Sequence, residues 1–411
     1  MKKLSIIICL YNTEKEYFDE CLSSIFSSTL ENFEVLIIDD GSDIDYSDII
    51  SKYDVRYVKT ENRGVTAARL YGILISDGEY VCFADSDDTV SFNYHMPMVK
   101  KAQEAGADIV INDWAFHSHR ARYFCKRDTT ISDTFTYEDD EILRQYVKNE
   151  GRQHSYFTLW NKVFKRELLL KAKEQIDKLE LPERRISYAD DALINFFAYA
   201  NAKKLTNVHT GYYFYRLHTS QSVNVTSKEK LKNQIYAMSY VLRSMSENVG
   251  GNRYADEIKE HIKKWSALMS RTHYSYALNK KYTDLYPYIV ERYGVAKLKK
   301  STMKDGQAYS DNEVLPSNFT DIDSSLREAY FTKWSFTADY DRSDKYVSST
   351  IDYINNNTGK TVTYSKNAAF KIPRGVISFK NKFLHNYYIY TLGMLLFKKG
   401  SKTREFLKKK I

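Results

Sequence analysis

Short apolar runs alternate with helix-like stretches in the N-terminal part of the chain, and this alternation restricts the fold more than any other feature. Four runs have the composition of β-strands: 4–10, 34–39, 79–85 and 107–113. Three stretches between them have helical spacing: 16–28, 65–76 and 93–105. Strands separated by helices of this length form βαβ units and a largely parallel sheet covered on both faces. The pattern therefore predicts an α/β fold.

Polar residues end three of the predicted strands. They are Asn12 after the first, Asp39 and Asp40 after the second, and Asp85, Asp87 and Asp88 after the third. The carboxyl ends of parallel strands meet at one edge of the sheet, and ligands of such sheets bind outside that edge. We therefore expect these side chains to form a single site.

The chain changes character near residue 226. Residues 1–225 carry a net charge of −7, whereas residues 226–411 carry +15. Three stretches beyond the change are rich in Lys, Glu and Tyr with helical spacing and show no strand alternation: 228–248, 254–279 and 283–299. The sequence thus predicts two domains, an α/β domain over 1–225 and a smaller, mainly helical domain over 226–411.

Composition excludes several classes of protein. No apolar run approaches the roughly 20 residues of a membrane-spanning helix. The four cysteines lie in the first third of the chain without C-x-x-C spacing, which predicts reduced thiols in the cytoplasm. The net charge of +8 comes from the C-terminal part, and no base-stacking motif accompanies it. We therefore expect no nucleic-acid partner.

The motif I-I-D-D-G-S-D (37–43) suits a nucleoside site. A carboxylate at the end of a strand can accept hydrogen bonds from a base N–H or a ribose hydroxyl, and Gly41 permits close approach of the backbone. The same residues also fit an ordinary turn with an Asp helix cap. Both interpretations are open from this motif alone.

The motif F-A-D-S-D-D (83–88) is typical of a divalent-cation site. Asp85 and Asp87 are one residue apart at the exit of an apolar strand, and hard oxygen ligands favour Mg²⁺ or Mn²⁺. Three acids within four residues repel one another, and a cation would relieve that repulsion. The alternative is a solvated acidic loop.

A third motif, E-N-R-G-V-T-A-A-R (61–69), places Gly64 at the start of a helix. The free N–H groups of a helix N-terminus bind phosphate. Arg69, about one and a half turns into the helix, could contact a diphosphate through two hydrogen bonds. An ordinary surface arginine is the alternative.

Together these motifs resemble family 2 glycosyltransferases of the GT-A fold. The resemblance covers roughly residues 3–225 and includes three further segments: L-W-N-K-V-F-K-R-E-L-L (159–169), Y-A-D-D-A-L-I-N (188–195) and Y-R-L-H-T-S-Q-S (215–222). It implies an inverting transfer from a nucleotide sugar, most often a UDP-sugar, that depends on Mn²⁺ or Mg²⁺. No Q-x-x-R-W motif of processive polymerases is present.

The resemblance also implies site residues. Tyr11, Asn12 and Asp40 would surround the uridine, and Asp87 would be the more direct metal ligand. The implied metal ligands are Asp85, Asp87 and His218. The implied donor-binding residues are Leu10, Tyr11, Asn12, Glu14, Asp40, Asn62, Arg69, Asp85, Ser86 and Arg216.

Asp191 matches the position of the catalytic base in the family's E-D-x-x-F-N segment. Here Asp190 replaces the usual Glu and Ile194 the usual Phe, so Asp190 is the alternative base. A third departure is Cys9, which replaces the family's usual Pro.

The predicted reaction moves galactose, glucose or an N-acetyl derivative from a UDP-sugar to a hydroxyl of a growing surface glycan. The glycan would be lipid-linked or protein-linked. The alternative is a degenerate transferase that serves as a binding or scaffolding subunit. The intact D-S-D and the pair Asp190 and Asp191 argue against that alternative.

The C-terminal end combines apolar and basic residues. Residues 387–397 form an apolar-aromatic run flanked by basic clusters. Residues 380–411 therefore fit a peripheral contact with an anionic membrane at the inner face. The alternative is a core helix that docks the tail onto the second domain.

Overall fold

The computed structural model describes residues 2–28, 30–118, 124–125, 133–148, 150–151, 154–179, 186, 188–218 and 225–296. The strands of this part are β1 (Lys2–Leu10), β2 (Phe33–Asp39), β3 (Arg56–Lys59), β4 (Gly78–Asp85), β5 (Thr89–Val90), β6 (Ile109–Ser118), β7 (Phe124–Cys125), β8 (Thr136–Glu138), β9 (Lys162–Lys165) and β10 (Lys204–Leu217). Its helices are α1 (Lys15–Phe26), α2 (Ser47–Ile50), α3 (Val65–Ile75), α4 (His95–Ala105), α5 (Asp140–Lys148), α6 (His154–Phe157), α7 (Arg166–Asp177), α8 (Asp190–Asn201), α9 (Lys228–Glu247), α10 (Ala255–Asn279) and α11 (Tyr286–Tyr293).

One mixed sheet, in the order β3-β2-β1-β4-β9-β6-β10-β5, forms the centre of the described part. Strands β3, β2, β1 and β4 are parallel neighbours, and β10 runs parallel to β6. The short strands β9 and β5 run antiparallel to their neighbours. This topology confirms the predicted α/β class with a mostly parallel sheet.

Both faces of the sheet are covered, as expected for strands that are apolar on both sides. In β1, Ile6 and Ile8 pack with Phe18 and Leu22 of α1 on one face. Ile7, which points the opposite way, joins the apolar cluster of α3, α7 and α8 on the other. The two layers fix the sheet so that the ends of β1, β2 and β4 share one edge.

Helices α9 to α11 pack against the α/β layers. Trp265 of α10 contacts the rings of Tyr146 in α5 and Phe157 in α6, with centroids 6.2 and 5.8 Å apart. Three predicted helical stretches are found in this part. Helix α9 matches 228–248 and α10 matches 254–279, and a short 3-10 helix (Thr283–Leu285) followed by α11 occupies the start of 283–299. Helices α9, α10 and α11 share one apolar core with α5 and α8.

Within the described ranges, no helix is both long enough and apolar enough to cross a membrane. The apolar run 387–397 and the basic segment 380–411 lie outside the described residues.

Candidate active site

The loops after β1 and β2 are tied together at the carboxyl edge of the sheet. The backbone N–H of Asn12 donates to Ser42 Oγ at 3.0 Å, and Asn12 Oδ1 accepts from the N–H of Asp43 at 2.8 Å. Gly41 has φ +80°, and a Cβ there would lie 2.8 Å from the nitrogen of Asn62. Glycine is therefore required where the loop of Asn62 crosses. Tyr11, at 52% exposure, stands open beside these loops.

Two adjacent aspartates at the end of β2 have different roles. Asp39 is fully buried and accepts hydrogen bonds from Ser42 N and the Tyr57 hydroxyl. The carboxylate of Asp40 accepts from the N–H groups of Arg63 and Gly64, at 2.7 and 2.8 Å. Asp40 therefore holds the start of α3 at the end of β1, since its own N–H donates to the carbonyl of Leu10 at 2.9 Å.

The turn after β4 carries three acidic side chains close together. The N–H of Asp85 donates to the Tyr213 hydroxyl at 2.9 Å. Burial raises the pKa of Asp85, Arg69 partly offsets this, and Asp191 and Asp87 add to it. Burial and the charges of Asp87 and Asp85 likewise raise the pKa of Asp88. A positive charge near this turn would therefore be stabilised by its three acidic side chains.

Arg69 connects this turn to the two aspartates at the start of α8. Its Nη2 lies 2.9 Å from Asp85 Oδ1, and its Nη1 donates to the carboxylates of both Asp190 and Asp191. The Arg69 side chain is 7% exposed. One buried cation thus holds three acids that are distant in sequence.

The two candidate bases differ in exposure. The side chain of Asp190 is 9% exposed and that of Asp191 is 17% exposed. Burial raises the pKa of Asp190, and Arg69 partly offsets the effect. Ala189, directly before them, has φ +65°, a conformation that non-glycine residues adopt at a cost. The carbonyl of Ala189 accepts from the N–H of Leu193 at 3.2 Å, and three residues earlier the carbonyl of Ile186 accepts from Thr66 Oγ1 at 2.7 Å.

Asp87 pairs with the end of β10. Its Oδ2 lies 2.7 Å from His218 Nε2. Arg216 is fully buried, and its Nη2 lies 2.7 Å from Glu20 Oε2. The guanidinium of Arg216 therefore contacts Glu20 of α1.

The residues at this edge suit a hard divalent cation. Asp85 and Asp87 supply carboxylate oxygens of the type that binds Mn²⁺ or Mg²⁺, and His218 adds an imidazole nitrogen. The neighbouring Asp88 has a buried Oδ2 without a hydrogen-bond partner, and nearby positive charge would stabilise it. Among the described residues, no group of three or more His, Cys, Asp or Glu side chains already encloses a common point.

Comparison of the sequence with known proteins shows which family the chain belongs to. The sequence model of "Glycosyl transferase family 2" matches residues 5–170. Glycosyltransferase GlyG of Streptococcus pneumoniae serotype 4 is 30% identical over 228 residues, 52% of this chain and 70% of GlyG. The chain belongs to glycosyltransferase family 2. A further relative is "Putative glycosyltransferase EpsH" of Bacillus subtilis, 28% identical over 267 residues, 63% of this chain and 74% of EpsH.

The GT-A fold of the family is supported by a solved structure. The crystal structure of S. aureus TarS 1–349 in complex with UDP aligns with a TM-score of 0.51 and 15% identity. The alignment covers 91% of this chain and 97% of the TarS chain. At this identity the likeness concerns the fold, and it agrees with the predicted GT-A architecture.

The fold brings most of the predicted family-2 site residues to one edge. Arg69, Asp85, Asp190 and Asp191 are in direct contact, and Asp87 with His218 lies in the same turn region. Ser86 Oγ is 2.6 Å from Thr13 Oγ1. Two others hold the edge through backbone atoms: Leu10, which is buried and accepts from Asp40 N, and Glu14, which accepts from Phe18 N.

Several contributors to the site went unrecognised in the sequence. Tyr213 holds the backbone of Asp85, and Trp160 stacks on Tyr213 with ring centroids 4.3 Å apart. Tyr17 and Glu20 of α1 contact Arg216. Tyr17, Glu20 and Tyr213 lie inside otherwise ordinary helix and strand patterns. Trp160 lies in the turn before β9, within the segment 159–169 that contributes to the family resemblance.

Proposed function

We propose that this glycosyltransferase moves a hexose from a UDP-sugar to a hydroxyl of a growing surface glycan, with inversion and with the help of Mn²⁺ or Mg²⁺. The hexose is galactose, glucose or an N-acetyl derivative. The observation that carries the proposal is the cluster of Asp85, Asp190 and Asp191 around Arg69, beside the pair of Asp87 and His218. Metal-binding and proton-accepting groups therefore lie next to one another at the ligand-binding edge.

The nucleotide is proposed to bind at the loops after β1 and β2. Tyr11 offers an exposed ring there. Asp40, whose N–H donates to the carbonyl of Leu10, has its carboxylate already oriented by the N–H groups of Arg63 and Gly64. Carboxylate oxygens retain lone pairs for a base N–H. The UDP complex of TarS, a protein of similar fold, supports the choice of nucleotide.

Asp191 is proposed as the base that accepts the proton of the acceptor hydroxyl. A hydroxyl is a poor nucleophile, and a carboxylate that takes its proton during attack increases the rate. Asp191 is the more exposed of the two candidates. The N-terminal position on α8 and the contact with Arg69 orient its carboxylate. One base on the far side of the sugar gives a single displacement and inversion.

The metal is proposed to be held by Asp87 and His218, with Asp85 beside them. When bound, a divalent cation stabilises negative charge on a diphosphate leaving group. Burial raises the pKa of Asp85, so a cation there would favour its ionised form. Tyr213 and Arg216 hold the backbone of the turn through Asp85 N and Asp87 O.

We place the enzyme in the cytoplasm, with residues 380–411 in contact with the anionic inner face of the membrane. Residues 371–411 carry a net charge of +10, and each basic residue near such a surface contributes on the order of 1 kcal/mol. The acceptor would then be lipid-linked or otherwise close to the membrane. Deletion of 380–411 should reduce binding to anionic liposomes and leave UDP-sugar hydrolysis intact.

Hydrolysis of nucleotide sugars by the full chain tests the proposed function. UDP-galactose, UDP-glucose and their N-acetyl derivatives are incubated with Mn²⁺, and released UDP is measured. We expect release from one of them, loss with EDTA, and loss in Asp87→Ala. Arg144→Lys, on the surface between α5 and α10, is the control. Full activity in EDTA would remove the metal from the proposal, and absence of UDP release from all four donors would argue for another donor.

A further inference from the structure

A buried charge pair joins α1 to the acidic turn. Glu20 and Arg216 are 5% and 0% exposed, and Glu20 Oε2 lies 2.7 Å from Arg216 Nη2. Tyr17, one turn earlier on α1, lies under the guanidinium with 4.4 Å from Arg216 Cζ to the ring centroid. Two residues of α1 thus hold one arginine of β10.

Arg216 in turn holds the acidic turn by its backbone and side chains. Its Nε donates to the carbonyl of Asp87 at 2.5 Å, and its backbone N–H donates to Asp88 Oδ1 at 2.7 Å. A hydrogen bond to the carbonyl of Asp87 fixes the peptide from which that carboxylate projects.

His218 completes the arrangement two residues later on the chain. Its ring lies 5.4 Å from that of Tyr17, and its Nε2 is 2.7 Å from Asp87 Oδ2. Tyr17 therefore contacts both Arg216 and His218. Arg216 and His218, which both contact Asp87, therefore pack against the same residue of α1.

We propose that Glu20, through Arg216, is a positioning residue that sets the orientation of Asp87 relative to His218. This role rests on the proposed function, because it gives the pair of Asp87 and His218 the task of binding the metal. Groups behind a metal ligand orient it, and their loss costs about 10–100-fold in metal affinity. The buried pair is also needed for charge balance, since removal of one partner leaves an uncompensated charge.

The test separates positioning from charge balance. Arg216→Lys keeps the positive charge beside Glu20 but lacks the Nε–H that holds the Asp87 carbonyl. Glu20→Gln keeps the size of the side chain and removes the charge. The matched control is Arg144→Lys, since Arg144 also bridges a helix to a distant Glu, Nε to Glu257 Oε2 at 2.9 Å, outside the site.

Mn²⁺ is titrated into each full-length protein with saturating UDP, and free Mn²⁺ is read by electron paramagnetic resonance. UDP binding is measured by calorimetry and folding by thermal unfolding. For Arg216→Lys we expect a thermal midpoint near that of the wild type and a Mn²⁺ dissociation constant raised about 10-fold or more. Glu20→Gln should raise the same constant, and Arg144→Lys should leave it unchanged.

Three outcomes of these measurements distinguish the positioning role of Glu20 from the proposed function. A folded Arg216→Lys and a folded Glu20→Gln that both bind Mn²⁺ more weakly support the positioning role. Wild-type Mn²⁺ affinity in either variant overturns it while the proposed function stands. A wild-type protein that binds neither UDP nor Mn²⁺ overturns the proposed function, and the positioning role fails with it.

Discussion

The guanidinium of Arg69 lies 2.9 Å from the carboxylate of Asp85, and this contact joins the middle of α3 to the end of β4. The other terminal nitrogen of the same guanidinium contacts Asp190 and Asp191 at the start of α8. Three acids of the site are therefore balanced by one buried cation. Arg69 therefore links the turn after β4, where the metal is proposed to bind, to Asp191, the proposed base, by hydrogen bonds and by charge.

The first prediction concerns this link. Arg69→Met should destabilise the protein by about 3–5 kcal/mol, because it leaves the buried carboxylate of Asp190 and the partly buried carboxylates of Asp85 and Asp191 without their partner. Arg69→Lys should destabilise it less. The lysine ammonium keeps the positive charge, but it lacks the two separate guanidinium nitrogens that contact Asp85 on one side and Asp190 and Asp191 on the other. Urea unfolding of both variants measures the difference. Equal stability of Arg69→Met and wild type would show that the three acids do not depend on Arg69.

The second prediction distinguishes the two candidate bases. Asp191→Asn should retain UDP binding and reduce turnover by roughly two to four orders of magnitude, the usual contribution of a general base. Steady-state transfer and calorimetry provide the two measurements. Asp190→Asn is the matched variant, one residue away and bound to the same Arg69 nitrogen. An active Asp191→Asn beside an inactive Asp190→Asn would transfer the role to Asp190.

The third prediction concerns the nucleotide. UDP should bind more tightly than GDP or ADP, and Tyr11→Ala should weaken UDP binding about tenfold, within the 1–3 kcal/mol that a stacked base contributes. Calorimetry with the three nucleotides checks both statements. Leu278→Ala, which removes an exposed apolar side chain of α10, should leave all three affinities unchanged. Tighter binding of GDP would overturn the assignment of the nucleoside site.

The fourth prediction concerns acid sensitivity. His273 is 1% exposed, its Nδ1 is 2.7 Å from the Tyr293 hydroxyl, and burial lowers its pKa from 6.5 to about 3. Below pH 6.5 the unfolded chain takes up a proton here that the folded chain does not, so stability falls as the pH is lowered. At pH 5 the loss is about 2 kcal/mol, from 1.4 kcal/mol per pH unit.

The double variant His273→Phe/Tyr293→Phe removes this titration together with its hydrogen-bond partner, which limits the cost of an unpaired group. Its thermal midpoint should fall less between pH 7.5 and pH 5 than that of the wild type. Single Tyr293→Phe retains the histidine and should keep the full acid sensitivity. Parallel pH profiles for wild type and double variant would contradict the buried-histidine explanation.

The sequence by itself determined the α/β class and the approximate positions of β1, β2, β4 and β6 and of α1, α3 and α4. The long strand β10 and the helices α5, α7 and α8 were not among the predicted elements. Runs such as 4–10 and 34–39 are apolar on both sides, and a short strand of that kind is stable only inside a covered sheet. The sequence also predicted that Asn12, Asp40 and Asp85 lie at one edge of the sheet, because the carboxyl ends of neighbouring parallel strands lie side by side. The helical character of 228–279 followed in the same way from local spacing.

Tertiary structure alone decided how the charged side chains are paired. Arg69 and Arg216 were both predicted to bind the donor, because an arginine in a local motif shows nothing about its partners in the fold. In the fold Arg69 meets acids 16 to 122 residues away, and Arg216 meets Glu20 across 196 residues. A buried charge must find a partner, and which partner is within reach depends on packing between layers that are far apart in sequence.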